Sequence, residues 1–335
     1  MLIYLLRRFV LMIPTIIGIT VVCFTITQLV PGGPVEQYIS KIRMASAEQG
    51  GEAKELSQEE VENIREYFGY DKPPVQRYFI WVSKILTLDL GHSYSYEEPV
   101  WDVIKDRFPI SIFFGLTSLL LSYLICIPLG VWKAVKNGSY FDIMSSVTIF
   151  IGYVVPGYAL GILLIVFFAG GNYLDWFPLG GMMSDNFDEL GRVDQFFDFL
   201  HHMVLPMSCY MIGEFAVLTL LMKNSLLEEI SKDYVRTAQM KGSSKIRAIF
   251  KHSLRNAFIP IATRLSEIFG IFFAGALLIE KVFDIDGMGL LYFNAMESRD
   301  YNLVMAIILM TSILGLIGRL FSDLLYVWID PRIKL

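Results

Sequence analysis

The sequence predicts an all-α membrane protein, and three observations carry that reading. Of 335 residues, 54% are hydrophobic and only 18% charged, with a mean hydropathy of +0.52, too apolar and too poor in charge for a water-soluble domain. Six apolar stretches reach the roughly 20 residues that a helix rising about 1.5 Å per residue needs to cross a hydrocarbon core about 30 Å thick. The lysines and arginines of the short connections gather on one side of those six. A formal charge of −5 provides no basic field for a nucleic-acid backbone, which excludes DNA and RNA. Cys23, Cys126 and Cys209 sit far apart in apolar runs, and His92, His201, His202 and His252 have no ligand spacing. Neither a disulfide framework nor a metal site is expected.

The expected spans run Phe9 to Val30, Ile110 to Trp132, Ile143 to Ala169, His202 to Met222, Phe258 to Ile279 and Leu303 to Trp328. The third contains Pro156, which removes a backbone donor and predicts a kinked but single span. The first begins at Arg7-Arg8, and its 22-residue apolar run is long for a signal peptide; no small-x-small cleavage pattern follows, so an uncleaved helix is expected.

Orientation follows from the basic residues in short flanks. With the amino terminus inside, fourteen Lys and Arg fall on the inner side, eight of them between Lys223 and Arg255, against three in the outer loops 170 to 202 and 280 to 302. Six spans with both termini cytoplasmic is the consistent solution. The chain then divides into 1–34 (tail and first span), 35–109 (an external insertion) and 110–335 (a five-helix core that includes an internal hairpin, 223–257).

The insertion has signals of its own. Ala45 to Lys54 is small and polar, a flexible loop. Ser57-Gln58-Glu59-Glu60 is a capping box that starts a helix with Val61, Ile64, Tyr67 and Phe68 on one face, ended by Gly69. After Pro73-Pro74, the run VQRYFIWVSKIL is a second amphipathic helix, and Trp101 to Arg107 suggests a third. Its aromatic residues suit local packing, a membrane surface or a partner. The outer loop 170 to 202 holds six acids, which fit either a solvated loop or a basic docking face. Inside, Leu226 to Met240 and Lys245 to Asn256 read as two helices around Lys241-Gly242-Ser243-Ser244. Gly242 suits a left-handed helix end, and Ser243 or Ser244 the next cap. Such a hairpin can dock on a protein or lie on anionic lipid.

Five ionisable residues fall in or beside spans. Arg264 with Glu267 (i,i+3) and Arg319 with Asp323 (i,i+4) can neutralise each other within one helix. Glu214 has no partner in its own helix and is the candidate for an interhelix contact or a translocation path. It also supports an alternative, an ion-coupled secondary transporter. Ser93 beside His92 has the residue types of a nucleophile and base, but neighbouring side chains point apart on extended chain. No catalytic residue is expected, and the absence of a GxxxxGK[ST] run means that ATP is not bound by this chain.

Several of these marks together resemble one family. Asp233-Tyr234-Val235-Arg236-Thr237-Ala238-Gln239-Met240-Lys241-Gly242, followed by His252-Ser253-Leu254-Arg255-Asn256-Ala257 and Pro260, is similar to the cytoplasmic "EAA" loop of binding-protein-dependent ABC importer permeases, in their peptide and nickel branch. Leu5 to Phe9, Pro31-Gly32-Gly33-Pro34, Asp89-Leu90-Gly91-His92-Ser93, Arg299-Asp300-Tyr301 and Asp330-Pro331-Arg332-Ile333 resemble further marks of that branch. Leu163 to Gly171 and Trp328 to Ile333 resemble a B-type subgroup associated with oligopeptides and the peptide antibiotic microcin C. The resemblance implies a type I importer permease, a second permease of the C type, cytoplasmic ATP-binding subunits that hold ATP and Mg, a periplasmic peptide-binding protein, and a place in the bacterial inner membrane. It also implies that Asp233, Arg236, Thr237, Ala238, Lys241 and Gly242 couple the chain to the ATPase. Arg236-Thr237 stand where the motif usually has Glu-Ala, so the motif glutamate's role does not carry over.

Overall fold

Where they are described, the apolar stretches fold as helices, and most outrun their sequence marks. A computed structural model describes residues 2–29, 33, 35–36, 38–40, 42–43, 57–67, 70–171, 173–264 and 276–329. In order these include α1 (Leu2–Leu29), α2 (Gln58–Tyr67), α3 (Pro74–Leu86), α4 (Val100–Val135), α5 (Tyr140–Val154), α6 (Gly157–Phe168), α7 (Arg192–Ser231), α8 (Asp233–Met240), α9 (Leu277–Phe283), α10 (Met288–Glu297) and α11 (Tyr301–Ile329). Short helical turns link α8 to Arg264. Among the described residues four unbroken helices are long and apolar enough to cross a membrane, five if α5 and α6 count as one span. No β-strand occurs among them; His92 and Pro99 form an isolated bridge.

Three expectations change. The separate helix at Trp101–Arg107 is the first part of α4, which continues through Pro109. The span expected at His202 starts ten residues earlier, at Arg192, because Gly191 supplies an extended N-cap and Asp194 a first-turn acid. At Pro156 the chain breaks rather than kinks. Val155 and Pro156 are extended, with ψ 119° and 137°, and α6 departs at 97° to α5. Proline disfavours helical geometry in the residue before it, which ends α5 at Val154. Gly157 then brings α6 against α7 so closely that a Cβ there would stand 2.8 Å from the Cys209 carbonyl oxygen. The fifth expected span is described only at its ends. Residues 265–275, including Glu267, lie outside the described residues, as do Ala45 to Lys54, Phe68, Gly69, Asp330 to Ile333 and all but Gly33 of Pro31 to Pro34.

Two compact units form, residues 1–107 with 291–316, and residues 108–290 with 317–335. In the first, α3 packs along α1: the Tyr78 and Thr20 hydroxyls are 3.0 Å apart, and the Phe24 ring lies 5.5 Å from that of Tyr78 and 5.9 Å from that of Trp81. Phe24, Tyr301 and Met305 close a small apolar core. The capping box forms as expected, Glu60 N–H donating to Ser57 Oγ (3.2 Å) and Ser57 N–H to Glu60 Oε2 (2.8 Å). In the second, α5, α6 and α9 pack on α7. One cluster there joins Phe114, Met203, Cys209, Ile279 and Phe283; another joins Cys126, Leu218, Met222, Leu226, Ile249, Ala257 and Ile261.

Candidate functional site

The segment that follows α7 differs from the expected pair of helices. Leu226 is fully buried within α7, in the cluster just named, and α7 runs on to Ser231. The break comes at Lys232, which is extended and ends one helix while opening the next. Three interactions hold it there. The Ser231 hydroxyl returns to the Glu228 carbonyl (2.7 Å), the Lys232 ammonium pairs with Glu229, and the negative Asp233 occupies the first turn of α8. Glu229 raises the Lys232 pKa by hydrogen bonding, while partial burial and the same carboxylate raise that of Tyr234. Tyr234 Oη donates to Glu229, and Asn256 Nδ2 donates to Tyr234 Oη at 3.2 Å. The base of α8 is therefore tied to both flanking segments.

Beyond that base the segment is presented outward. Val235 is the one buried residue of α8. The side chains of Asp233 and Arg236 are 98% and 70% exposed, 3.9 Å apart, and Thr237 Oγ1 donates to the Asp233 carbonyl at 2.9 Å. Ala238 is half-buried, and Lys241 and Gly242 are exposed. Gly242 has φ +90°, a value that a Cβ disfavours. Its N–H reaches the Gln239 carbonyl (2.9 Å), and Ser243 N–H reaches that of Ala238 (3.1 Å), the paired bonds of a Schellman end. Ser244, rather than Ser243, caps the next turn through Arg247 N–H at 3.4 Å. A π-helical turn, Ile249–Ser253, follows, with Ile249 and Ser253 buried. Met240 is 90% exposed and Ile246 68%, beside the exposed Arg236, Lys241, Lys245 and Arg247. This surface is cationic and apolar at once and stands on a pinned base.

Glu214 is placed as an interhelix contact: its carboxylate lies 3.5 Å from the Arg264 guanidinium. It stands on α7, and its side chain is 45% exposed. Among the described residues no group of three His, Cys, Asp or Glu side chains is arranged to hold a metal.

Sequence reasoning missed three polar clusters. Lys133 was counted only as a flanking cation, yet it has no exposed surface. Its ammonium donates to the Asp142 carbonyl (2.8 Å), Ser145 Oγ (2.7 Å) and Ser146 Oγ (2.8 Å), and lies 3.2 Å from Asp142 Oδ1. Lys223 of α7 grips the same carboxylate at 2.8 and 2.7 Å. The single acid at the start of the third span was the available signal. A second cluster surrounds Glu280, 1% exposed, which accepts from Tyr210 Oη (3.1 Å), Ala276 N–H (3.2 Å) and Leu290 N–H (2.8 Å). Burial pushes its carboxyl up, and these donors pull it partly back. The third joins two marks that sequence gave separately. Asp300, wholly buried, accepts from Ser93 Oγ (2.5 Å) and Ser95 N–H (3.0 Å), while Asn302 Nδ2 donates to the His92 carbonyl (3.0 Å). Ser93 is thus bound to Asp300. Of the six acids in loop 170 to 202, Asp198 is also engaged, by Ser184 Oγ and N–H.

Known proteins supply the remaining comparison. Residues 126–335 match the family described as binding-protein-dependent transport system inner membrane component, and residues 1–115 match the N-terminal region of such membrane components. The chain is 41% identical to the peptidoglycan transport system permease protein YejB of Agrobacterium fabrum, over 98% of this chain and 97% of that one. It is 41% identical to the inner membrane ABC transporter permease protein YejB of Escherichia coli O157:H7, over 98% of each. It is also 31% identical to the oligopeptide transport system permease protein AppB of Bacillus subtilis, over 99% of each. With both parts of the chain matched and relatives covered almost end to end, the protein belongs to the binding-protein-dependent transport system inner membrane components.

Proposed function

We propose that this chain is the B-type permease of an ATP-driven ABC importer that carries oligopeptides, or peptide antibiotics of the microcin C kind, from periplasm to cytoplasm. The observation that carries the reading is near full-length likeness to transport-system permeases, one of them named for oligopeptide transport, joined to a pinned, outward-facing segment, 233–247, that carries the residues resembling that family's coupling loop. In this reading six spans have both termini in the cytoplasm, 35–109 is a periplasmic helical insertion, and 110–335 is the transport core. A C-type permease completes the pathway, cytoplasmic ATP-binding subunits hold ATP and Mg, and a periplasmic binding protein delivers the peptide.

Mechanically, closure of the ATPase would push on α8 through Asp233, Arg236, Thr237, Ala238, Lys241 and Gly242. Because the Glu229, Lys232, Tyr234 and Asn256 contacts fix α8 at its base, the push passes to α7, whose Glu214 lies along the transport path. The Arg264 counter-charge suits Glu214 to peptide contact better than to carrying a proton. Proteoliposomes containing both permeases and the ATPase should accumulate a short peptide only with binding protein and ATP together. Accumulation driven by a proton gradient without ATP would overturn the reading in favour of an ion-coupled transporter.

A further inference from the structure

Helix α3 is not fully accounted for by its packing on α1. Projected at 100° per residue, its apolar residues fill one continuous sector: Trp81, Ile85, Tyr78 and Val82, then Val75, Leu86 and Phe79. The first group is half-buried, and Tyr78 and Trp81 meet α1. The second is open, with Val75 68%, Phe79 64% and Leu86 79% exposed. The remaining sector carries Gln76, Arg77, Ser83 and Lys84, with Ile80 among them.

The depth of α3 follows from its contacts. Just before it, the Tyr70 hydroxyl lies 3.6 Å from where a Cβ of Gly33 would stand, beyond the Leu29 end of α1. Just after it, the His92 carbonyl accepts from Asn302, in the first turn of α11. Both flanks of α3 thus sit level with helix ends, while between them Tyr78 reaches Thr20, nine residues inside Leu29, or about 14 Å along the axis. A helix whose flanks both meet helix ends, with Tyr78 reaching down the side of α1, fits the placement of an interfacial helix.

We propose that α3 lies in the lipid–water interface at the Leu29 end of α1, with Val75, Phe79 and Leu86 in the acyl region and Lys84 toward the phosphates. Continuity favours lipid over a protein partner. Val22, Ile26 and Leu29, exposed at 56%, 55% and 77%, leave the adjoining end of α1 apolar and uncovered. The open stripe of α3 prolongs the apolar sector that packs on that helix. This proposal is independent of the coupling assignment and of the transported substrate.

The test uses the full chain with Cys23, Cys126 and Cys209 replaced by alanine, reconstituted in vesicles of phosphatidylcholine and phosphatidylglycerol. Single cysteines at positions 75, 79, 86, 76 and 83 carry a nitroxide, all at exposed sites that need no repacking. Oxygen should relax the labels at 75, 79 and 86 far more than a water-soluble nickel chelate does, with a ratio about tenfold above that at 76 and 83. Strong nickel access along the 75–79–86 stripe would place it in water. Exclusion of both reagents would mean that protein covers it. Either result overturns the interfacial assignment.

Discussion

A fully buried lysine is tolerable only when every ammonium proton meets an oxygen and a carboxylate is near. Lys133 meets that condition through Asp142, Ser145 and Ser146, and Asp142 also neutralises Lys223. Asp142→Asn leaves two cations facing a neutral amide and should cost about 3–5 kcal/mol. Thermal unfolding of the purified chain in detergent reads this directly. Adding Lys223→Gln to Asp142→Asn should recover much of the loss, since it removes one of the stranded cations; a single variant as stable as wild type would show the network to be idle. Glu280 makes a pH prediction. Its pKa is raised, so the folded chain holds that proton more tightly than the unfolded one does. The stability it contributes is present below the ordinary carboxyl range and is lost as pH rises through the raised value. Wild type should therefore lose stability relative to Glu280→Gln as pH is raised across that interval.

At the level of elements, the break at Pro156 depends on a glycine as much as on the proline. Gly157→Ala drives a methyl into the Cys209 carbonyl and should destabilise by about 1–3 kcal/mol. Gly213→Ala on α7 has nothing within 4 Å and should be neutral or stabilising by up to about 1 kcal/mol. Equal melting shifts for the two would show that α6 and α7 do not approach as described. The contrast also marks what sequence made legible. Local signals succeeded: the Ser57–Glu60 box, the Gly242 end and a cap at one of the two serines after it each depend on residues within a few positions of one another. Helix ends inside uniformly apolar stretches were not legible, since periodicity is faint where no face is polar, and so α4 and α7 were read too short. Contacts between distant elements, such as Lys133 with Asp142 and Lys223, left only an isolated acid as their trace. The break at Lys232 was hidden because helix-forming residues flank it on both sides.

For the whole molecule, the predictions concern sidedness and coupling. A cysteine at Gly50 should react with an impermeant thiol reagent applied from the periplasm, and one at Ser243 only after the membrane is opened. The opposite pattern would invert the topology and remove 233–247 from the ATPase side. Gly242→Pro cannot keep φ +90° and should abolish uptake while the chain still inserts, as should charge reversal at the exposed Arg236. Wild-type transport by either variant would dissociate this segment from coupling.

The Ser93–Asp300 bond spans 207 positions of sequence. On the ribosome Ser93 emerges first and must wait about 10–40 s for its acceptor, at ordinary rates of elongation. Through that interval the Asp89–Ser93 turn has only its own bond, Gly91 N–H donating to Asp89 Oδ1, and lacks the Asp300 carboxylate. The unit to which both belong is split in sequence, residues 108–290 being made between its two parts, so nascent chains halted near Leu290 should be cut by protease between Leu88 and Glu98, and released full-length chains should resist. The order of synthesis makes this bond a late one, closed only after the whole of residues 108–290 has been made.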